Sequence, residues 1–202
     1  MGGGPRRPRT IAGADVAYDD DRGRCFAAVV VTSVPGMKVV EQVTAESAVA
    51  FPYAAGLLAF REGPPLLAAF AKLHRRPGVI IFDAHGIAHP RRFGLASHLG
   101  YLLDVPSIGC AKSIFVGKPL KLNEQAGSTA ALIDAGECVG AAVRTRTGVR
   151  PVYVSPGHRV GRRRAVELVL HAVTRYRIPE PLRLAGILAR RCKREASTAP
   201  RA

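Results

Sequence analysis

Val79-Ile80-Ile81-Phe82-Asp83 is four apolar residues closed by an acid, and Ile11-Ala12-Gly13-Ala14-Asp15-Val16-Ala17-Tyr18 holds a second acid inside a β-prone run. Short apolar runs of this kind suit buried strands. An ionised carboxylate inside or at the end of such a strand is costly unless something pairs with it. A divalent cation is one such partner, so two strand-borne aspartates point to a metal site in an α/β scaffold.

Outward from these two runs, strands are predicted over residues 11–18, 25–34 and 38–44. They are separated by the turn residues Asp19-Asp20-Asp21-Arg22-Gly23 and Pro35-Gly36. The acidic turn lacks the alternating ligands and closing Glu of a calcium loop and reads as a solvated turn. Apolar spacing then predicts a helix over 65–73, a strand over 79–82, a helix over 92–103 and a strand over 107–111. Strands over 139–146 and 152–154 follow, then helices over 162–177 and 181–191. Three antiparallel strands followed by alternating helices and strands is the order of a ribonuclease H-like α/β fold, a mixed sheet flanked by helices in a single domain. Order alone also fits other α/β domains.

At 202 residues, 48% of them hydrophobic, the chain is long enough for one well-filled core and too short for two. No apolar run is long enough to span a bilayer, and no apolar stretch of signal type follows the basic start Met1-Gly2-Gly3-Gly4-Pro5-Arg6-Arg7-Pro8-Arg9. The expectation is a cytoplasmic protein with no membrane partner. Residues 1–10 form a disordered basic arm in this reading, 11–191 the folded domain and 192–202 a disordered tail. Thirty Lys and Arg against fifteen Asp and Glu give a formal charge of +15. That excess favours a polyanion, most often nucleic acid, through phosphate contacts and counterion release. Coding bias could raise the Arg share, but it does not explain the shortage of acids. Cys25, Cys110, Cys138 and Cys192 are scattered, which argues against a zinc ribbon or redox pair, and three of them read as small core residues.

Chemistry gathers most densely in Phe82-Asp83-Ala84-His85-Gly86-Ile87-Ala88-His89-Pro90-Arg91-Arg92-Phe93-Gly94-Leu95-Ala96-Ser97-His98. Strand ends in open α/β sheets are where ligands bind. There Asp83 can ligate magnesium, and His89 or the arginine pair can reach phosphate. The spacing of the three histidines fits no common zinc pattern. Taken singly, Glu62 reads as an acid in a first helical turn, Lys112 as a surface lysine and His158 as a turn residue.

Five blocks change those readings. They are 13–18 (GADVAY), 56–62 (GLLAFRE), 83–92 (DAHGIAHPRR), 104–112 (DVPSIGCAK) and 151–159 (PVYVSPGHR). In this order they make the chain, from residue 11 to about 184, resemble the endonuclease V family, repair nucleases that cut near deaminated adenine. The resemblance implies a ribonuclease H-like fold and dependence on magnesium, or on manganese. Residue by residue, it implies that Asp15 and Asp83 hold the metal and that Glu62 is the third acid. It further implies that His158 is the fourth polar member and that Lys112 stands near the scissile phosphate. A cut at the second phosphodiester bond 3′ to the lesion, leaving a 3′-hydroxyl and a 5′-phosphate, is implied with them.

Lesion recognition in that family needs a base held out of the stack and a wedge in its place. The family's wedge is Pro-Tyr-x-Pro-Gly; here Pro52-Tyr53-Ala54-Ala55-Gly56 keeps Tyr53 and loses the second proline. Gly56 and Leu58 match positions lining the base pocket, and His89 joins them. Where the family has Asp-Gly-x-Gly this chain has Asp83-Ala84-His85-Gly86, so Ala84 is expected to bring a methyl group into that pocket. The helical segment that usually precedes the first strand is replaced by the Gly/Arg/Pro arm. Gly161-Arg162-Arg163-Arg164 is expected to add phosphate contacts. Gly186 stands where many relatives place a polar residue. The expected partner is DNA containing deoxyinosine, cut by a monomer. The rival readings are an endoribonuclease for inosine-containing RNA, which would read the 2′-hydroxyl, and a non-catalytic nucleic-acid binder, which would have no need of all five polar residues.

Overall fold

The computed structural model describes residues 7–198. Among them a nine-stranded mixed sheet runs in the order β3-β2-β1-β4-β5-β9-β8-β7-β6. β1 (Thr10–Asp19), β2 (Arg24–Ser33) and β3 (Val39–Ala48) form an antiparallel meander. The chain then crosses through α1 (Leu58–Phe70) to β4 (Val79–Phe82), which lies parallel to β1, and through α2 (Leu95–Leu103) to β5 (Ser107–Ala111), parallel to β4. Parallel neighbours need such crossovers, and the helices they carry cover the sheet. β4 is accordingly buried along its whole length.

β6 (Lys118–Pro119), β7 (Thr129–Asp134), β8 (Glu137–Val143) and β9 (Val152–Pro156) extend the sheet antiparallel from β5. α3 (Arg162–Ala172) and α4 (Glu180–Thr198) close the second face. Ala12, Ala14, Ile80 and Phe82 pack with Leu66, Phe70 and Leu99 of α1 and α2 on one side. Ile11, Val79 and Ile81 pack with Leu168, Val169 and Leu182 on the other. α4 rests directly on β1, since a Cβ on Gly13 would fall 2.2 Å from the backbone of Pro181 and Leu182.

The ribonuclease H-like mixed sheet in one domain is thus the fold observed, with differences in several elements. α1 starts at Leu58, not at 65, so Pro64 and Pro65 lie within it. Proline favours a first turn, but burial of Gly63, Pro65, Leu66, Ala69 and Phe70 holds the helix through the two missing N–H groups. α2 starts three residues late because Arg92 is left-handed, at φ 53. α3 ends at Ala172, where Val173 turns extended, instead of running to 177. β6 and β7 were not predicted.

α4 continues to Thr198, so 192–198 are helix rather than tail. Ser197 Oγ donates to Asp19 Oδ2 at 3.0 Å, and Arg22 bonds the Ala196 and Ser197 carbonyls at 3.2 and 3.0 Å. Of the expected arm, residues 1–6 lie outside the described residues. Pro8 is buried, and the Arg9 carbonyl accepts from Val34 N–H at 2.9 Å. Cys25 and Cys110 are buried while Cys138 and Cys192 are half-buried, so two cysteines, not three, are core residues. No helix among the described residues is long and apolar enough to cross a membrane.

Candidate active site

The parallel register Ala14↔Phe82 sets Asp15 and Asp83 side by side at the same edge of the sheet. Asp83 N–H closes that register onto the Ala14 carbonyl at 3.4 Å. The neighbouring register Phe82↔Gly109 carries β5 out to the same edge, where Lys112 forms an ion pair with Asp83 Oδ2. α1 brings Glu62 to both aspartates from one side, and α4 brings Gly186 against Asp15 from the other. Four of the five expected catalytic side chains therefore converge.

The carboxylates crowd one another. Burial, then the charge of Asp83, pushes the Asp15 carboxyl up to about 6, although Lys112, the Val16 N–H at 2.9 Å and Arg190 pull it down. Burial, then Asp15 and Asp83, pushes Glu62 up to about 8. Three crowded carboxylates offering hard oxygen donors fit a divalent cation. Among the described residues no group of three His, Cys, Asp or Glu side chains is placed to hold an ion alone.

His158 is not brought to this edge. Its N–H donates to Ser107 Oγ at 2.8 Å, and its carbonyl accepts from Ser107 N–H at 2.9 Å, at the start of β5. Lys112 follows the other end of that strand, roughly 16 Å away at the usual rise per residue. The His158 ring stands edge-on to Tyr101 at 5.8 Å, with Nε2 3.6 Å from Asp104 Oδ1. The cause is topological: β9 runs antiparallel to β5, so residues that follow β9 return to the far edge. On the Asp15 side the site is bounded by α4, where Gly186 faces Asp15.

Beside the carboxylates lies a cavity of about 170 Å³ lined by Tyr53, Gly56, Leu58, His85, His89 and Phe115, among others. Three of the four site residues are close in sequence to a lining residue: Asp83 to His85, Lys112 to Ser113, and Glu62 to Leu58 one helical turn away. Tyr53 is 72% exposed, free to enter a base stack. Gly56 has φ 80, which favours glycine, and its carbonyl accepts from Arg91 Nη1 at 3.2 Å. His89 is buried, its pKa lowered by burial and by Arg91, and its ring lies 5.3 Å from Phe115. It faces the cavity.

Ala84 does not line the cavity. Its methyl group is buried in the core with Leu95 and Ala96, and its backbone is not left-handed, so the substitution carries no strain there. The residue missed is His85, whose buried Nδ1 has no hydrogen-bond partner and whose pKa burial lowers to about 4. The three-histidine segment held that signal. Arg92 is tied to Asp134 and Glu137 at 2.8 and 2.7 Å. Arg162 bonds the Cys138 carbonyl, while Arg163 and Arg164 pair with Glu167, so these basic residues serve the fold first.

Residues 3–187 match the family model for endonuclease V. The chain is 53% identical over 186 residues to an endonuclease V of Gloeobacter violaceus, covering 91% of this chain and 76% of that protein. The crystal structure of an endonuclease V from Streptomyces avermitilis superposes with a TM-score of 0.92 at 47% identity, covering 97% of this chain and 86% of that one. An endonuclease V from Ciona intestinalis, in complex with a 24mer DNA containing an inosine followed by a ribo-adenosine, superposes with a TM-score of 0.84 at 28% identity, covering 96% of this chain and 89% of that one.

Proposed function

The chain belongs to the endonuclease V family, and on that premise we propose that it is a magnesium-dependent repair endonuclease that nicks inosine-containing DNA at the second phosphodiester bond 3′ to the lesion. The observation that carries this reading is the convergence of Asp15, Asp83, Glu62 and Lys112 at one sheet edge beside the cavity that Tyr53 and His89 line. Manganese meets the same donor set. A divalent cation, when bound, supplies Lewis-acid polarisation of the phosphate and a nucleophile at neutral pH.

Asp15 and Asp83 would hold that cation. Glu62, held at about 8 by burial and the two aspartates, carries a proton at neutral pH and would give it up beside a bound cation, because a raised carboxyl pKa falls when its anionic neighbours are neutralised. Lys112 exchanges Asp83 for a non-bridging phosphate oxygen and offsets the charge that builds there. The water oxygen bonds to phosphorus as its proton passes to solvent, the bond from phosphorus to the 3′ oxygen breaks, and that oxygen takes a proton from solvent. The products are a 3′-hydroxyl and a 5′-phosphate. Tyr53 fills the gap in the stack, and the extruded base enters the cavity against His85, His89 and Gly56.

A second reading, cleavage of inosine-containing RNA, is favoured by one observation: the Ciona relative was captured with a ribonucleotide following the inosine. Matched oligonucleotides carrying deoxyinosine or riboinosine, with and without magnesium, separate the two. Metal-dependent nicking of the deoxyinosine strand at the second bond 3′ to the lesion supports the DNA reading. Nicking only where a ribonucleotide follows supports the RNA reading, and no metal-dependent nicking of either refutes both.

A further inference from the structure

α4 approaches the carboxylates through a gap. A Cβ on Gly186 would lie 2.6 Å from Asp15 Oδ2, and 3.3 and 3.5 Å from Nη1 and Nη2 of Arg190. The guanidinium and the metal-binding carboxylate therefore share one small volume, within the range at which opposite charges stabilise each other. Residues four apart lie on one face of a helix, and long side chains lean toward its N-terminus. Arg190 is accordingly aimed over Gly186 at Asp15, and its charge is among those that lower the Asp15 pKa.

Arg190 also differs from its neighbours on α4. Arg183 pairs with Glu180 at 2.6 Å and Arg191 with Glu195 at 3.7 Å, whereas the exposed Arg190 guanidinium makes no ion pair or hydrogen bond within the described residues. On the opposite side of the carboxylate pair stands Lys112, in contact with Asp83. The two aspartates are thus bracketed by two cations, one from β5 and one from α4. Gly186 leaves the space beside Asp15 bare of a side chain, and the polar group facing Asp15 comes from one turn further along the helix.

We infer that Arg190 is a catalytic residue of this chain: its guanidinium passes through the gap left by Gly186 and binds a non-bridging oxygen of the scissile phosphate on the side opposite Lys112. The planar fork of arginine suits two phosphate oxygens at once, which a lysine does not match. A cation beside Asp15 also opposes metal binding before nucleic acid arrives. Arg190 therefore weakens the metal site of the free protein and accelerates the cut, two effects of opposite sign. A merely solvated arginine on the outer part of α4 would produce neither. The inference rests on the nuclease reading above.

The test measures two quantities on wild type, Arg190→Gln and Arg190→Lys: manganese affinity of the protein without nucleic acid, from the paramagnetic resonance signal of free Mn2+, and the single-turnover rate on a deoxyinosine strand at saturating metal. Arg190→Gln is expected to bind Mn2+ about threefold or more tightly and to cut roughly tenfold or more slowly, as the loss of one charged phosphate contact implies. Arg190→Lys is expected to keep wild-type Mn2+ affinity and to recover only part of the rate. Unchanged cutting by Arg190→Gln would overturn the inference. So would a loss of cutting accompanied by weaker Mn2+ binding, which would make Arg190 a support of the metal site. A wild type that binds Mn2+ but never cuts would refute the nuclease reading instead, which keeps the two failures distinct.

Discussion

Replacing Glu62 by glutamine keeps the shape of the side chain and removes its ability to ionise. Burial, with the charges of Asp15 and Asp83, holds the Glu62 carboxyl at about 8 against an ordinary 4.5. In the metal-free protein the folded state therefore keeps a proton that the unfolded chain has lost. Stability is fully present below the unfolded value and is lost as pH rises through the folded one. His85 has the opposite sign, because burial lowers it to about 4 and stability is lost as pH falls below 6.5. Asp15, at about 6, is mostly ionised by pH 6.5.

The window from pH 6.5 to 8 thus isolates Glu62. Across it the linkage amounts to roughly 2 kcal/mol, or about 4–8 °C in Tm for a chain of this size. Thermal melts followed by circular dichroism on chelator-treated protein measure it directly. Wild type should lose about 4–8 °C more than Glu62→Gln between the two pH values, and saturating magnesium should shrink that difference. Parallel curves for the two proteins without metal would refute the crowding of Glu62 by the aspartates, and with it the reason given for a cation there.

Tyr53→Ala should weaken discrimination between inosine-containing and undamaged strands by about tenfold or more, since base–aromatic stacking is worth about 1–3 kcal/mol. Competition binding checks it, and unchanged selectivity would make Tyr53 an ordinary loop aromatic. His158→Ala should leave single-turnover cleavage within about threefold of wild type while costing about 1 kcal/mol of stability from lost packing on Tyr101. A hundredfold loss of rate in a folded variant would return His158 to the site. Gly56→Ala should cost about 1 kcal/mol of backbone strain at φ 80 and weaken binding of the lesion more than binding of undamaged DNA; equal effects on both strands would separate Gly56 from base recognition.

The central part of the fold was legible because β1, β4 and β5 are apolar runs bounded by turn residues, and the parallel pairing of β4 with β1 follows from the crossover between them. The start of α1 was not, because two prolines that favour a first turn are held mid-helix by core packing. The β7–β8 hairpin turns at Ala135 and Gly136, both with positive φ (48 and 79). That turn geometry is usually signalled by Asn-Gly or Asp-Gly, and alanine conceals it. Within the site, Asp83 and Lys112 follow from the ends of adjacent parallel strands, and Asp15 from the β1 register beside Asp83. His158 did not, because residue order does not say to which edge an antiparallel strand returns the chain. Gly186 and Arg190 gave no local signal of chemistry, and they acquire one only when α4 is laid across β1.

The central claim is that the carboxylates of Asp15 within β1 and Asp83 at the end of β4 cut the strand while other surfaces bind it. Asp83→Asn tests it most directly, measured beside wild type for cleavage and for affinity on one deoxyinosine-containing strand with magnesium supplied. The account predicts cleavage reduced by about a thousandfold or more, as expected when a metal-binding carboxylate is lost, with affinity within about tenfold of wild type because the phosphate contacts remain. Cleavage by Asp83→Asn within a few-fold of wild type would contradict it.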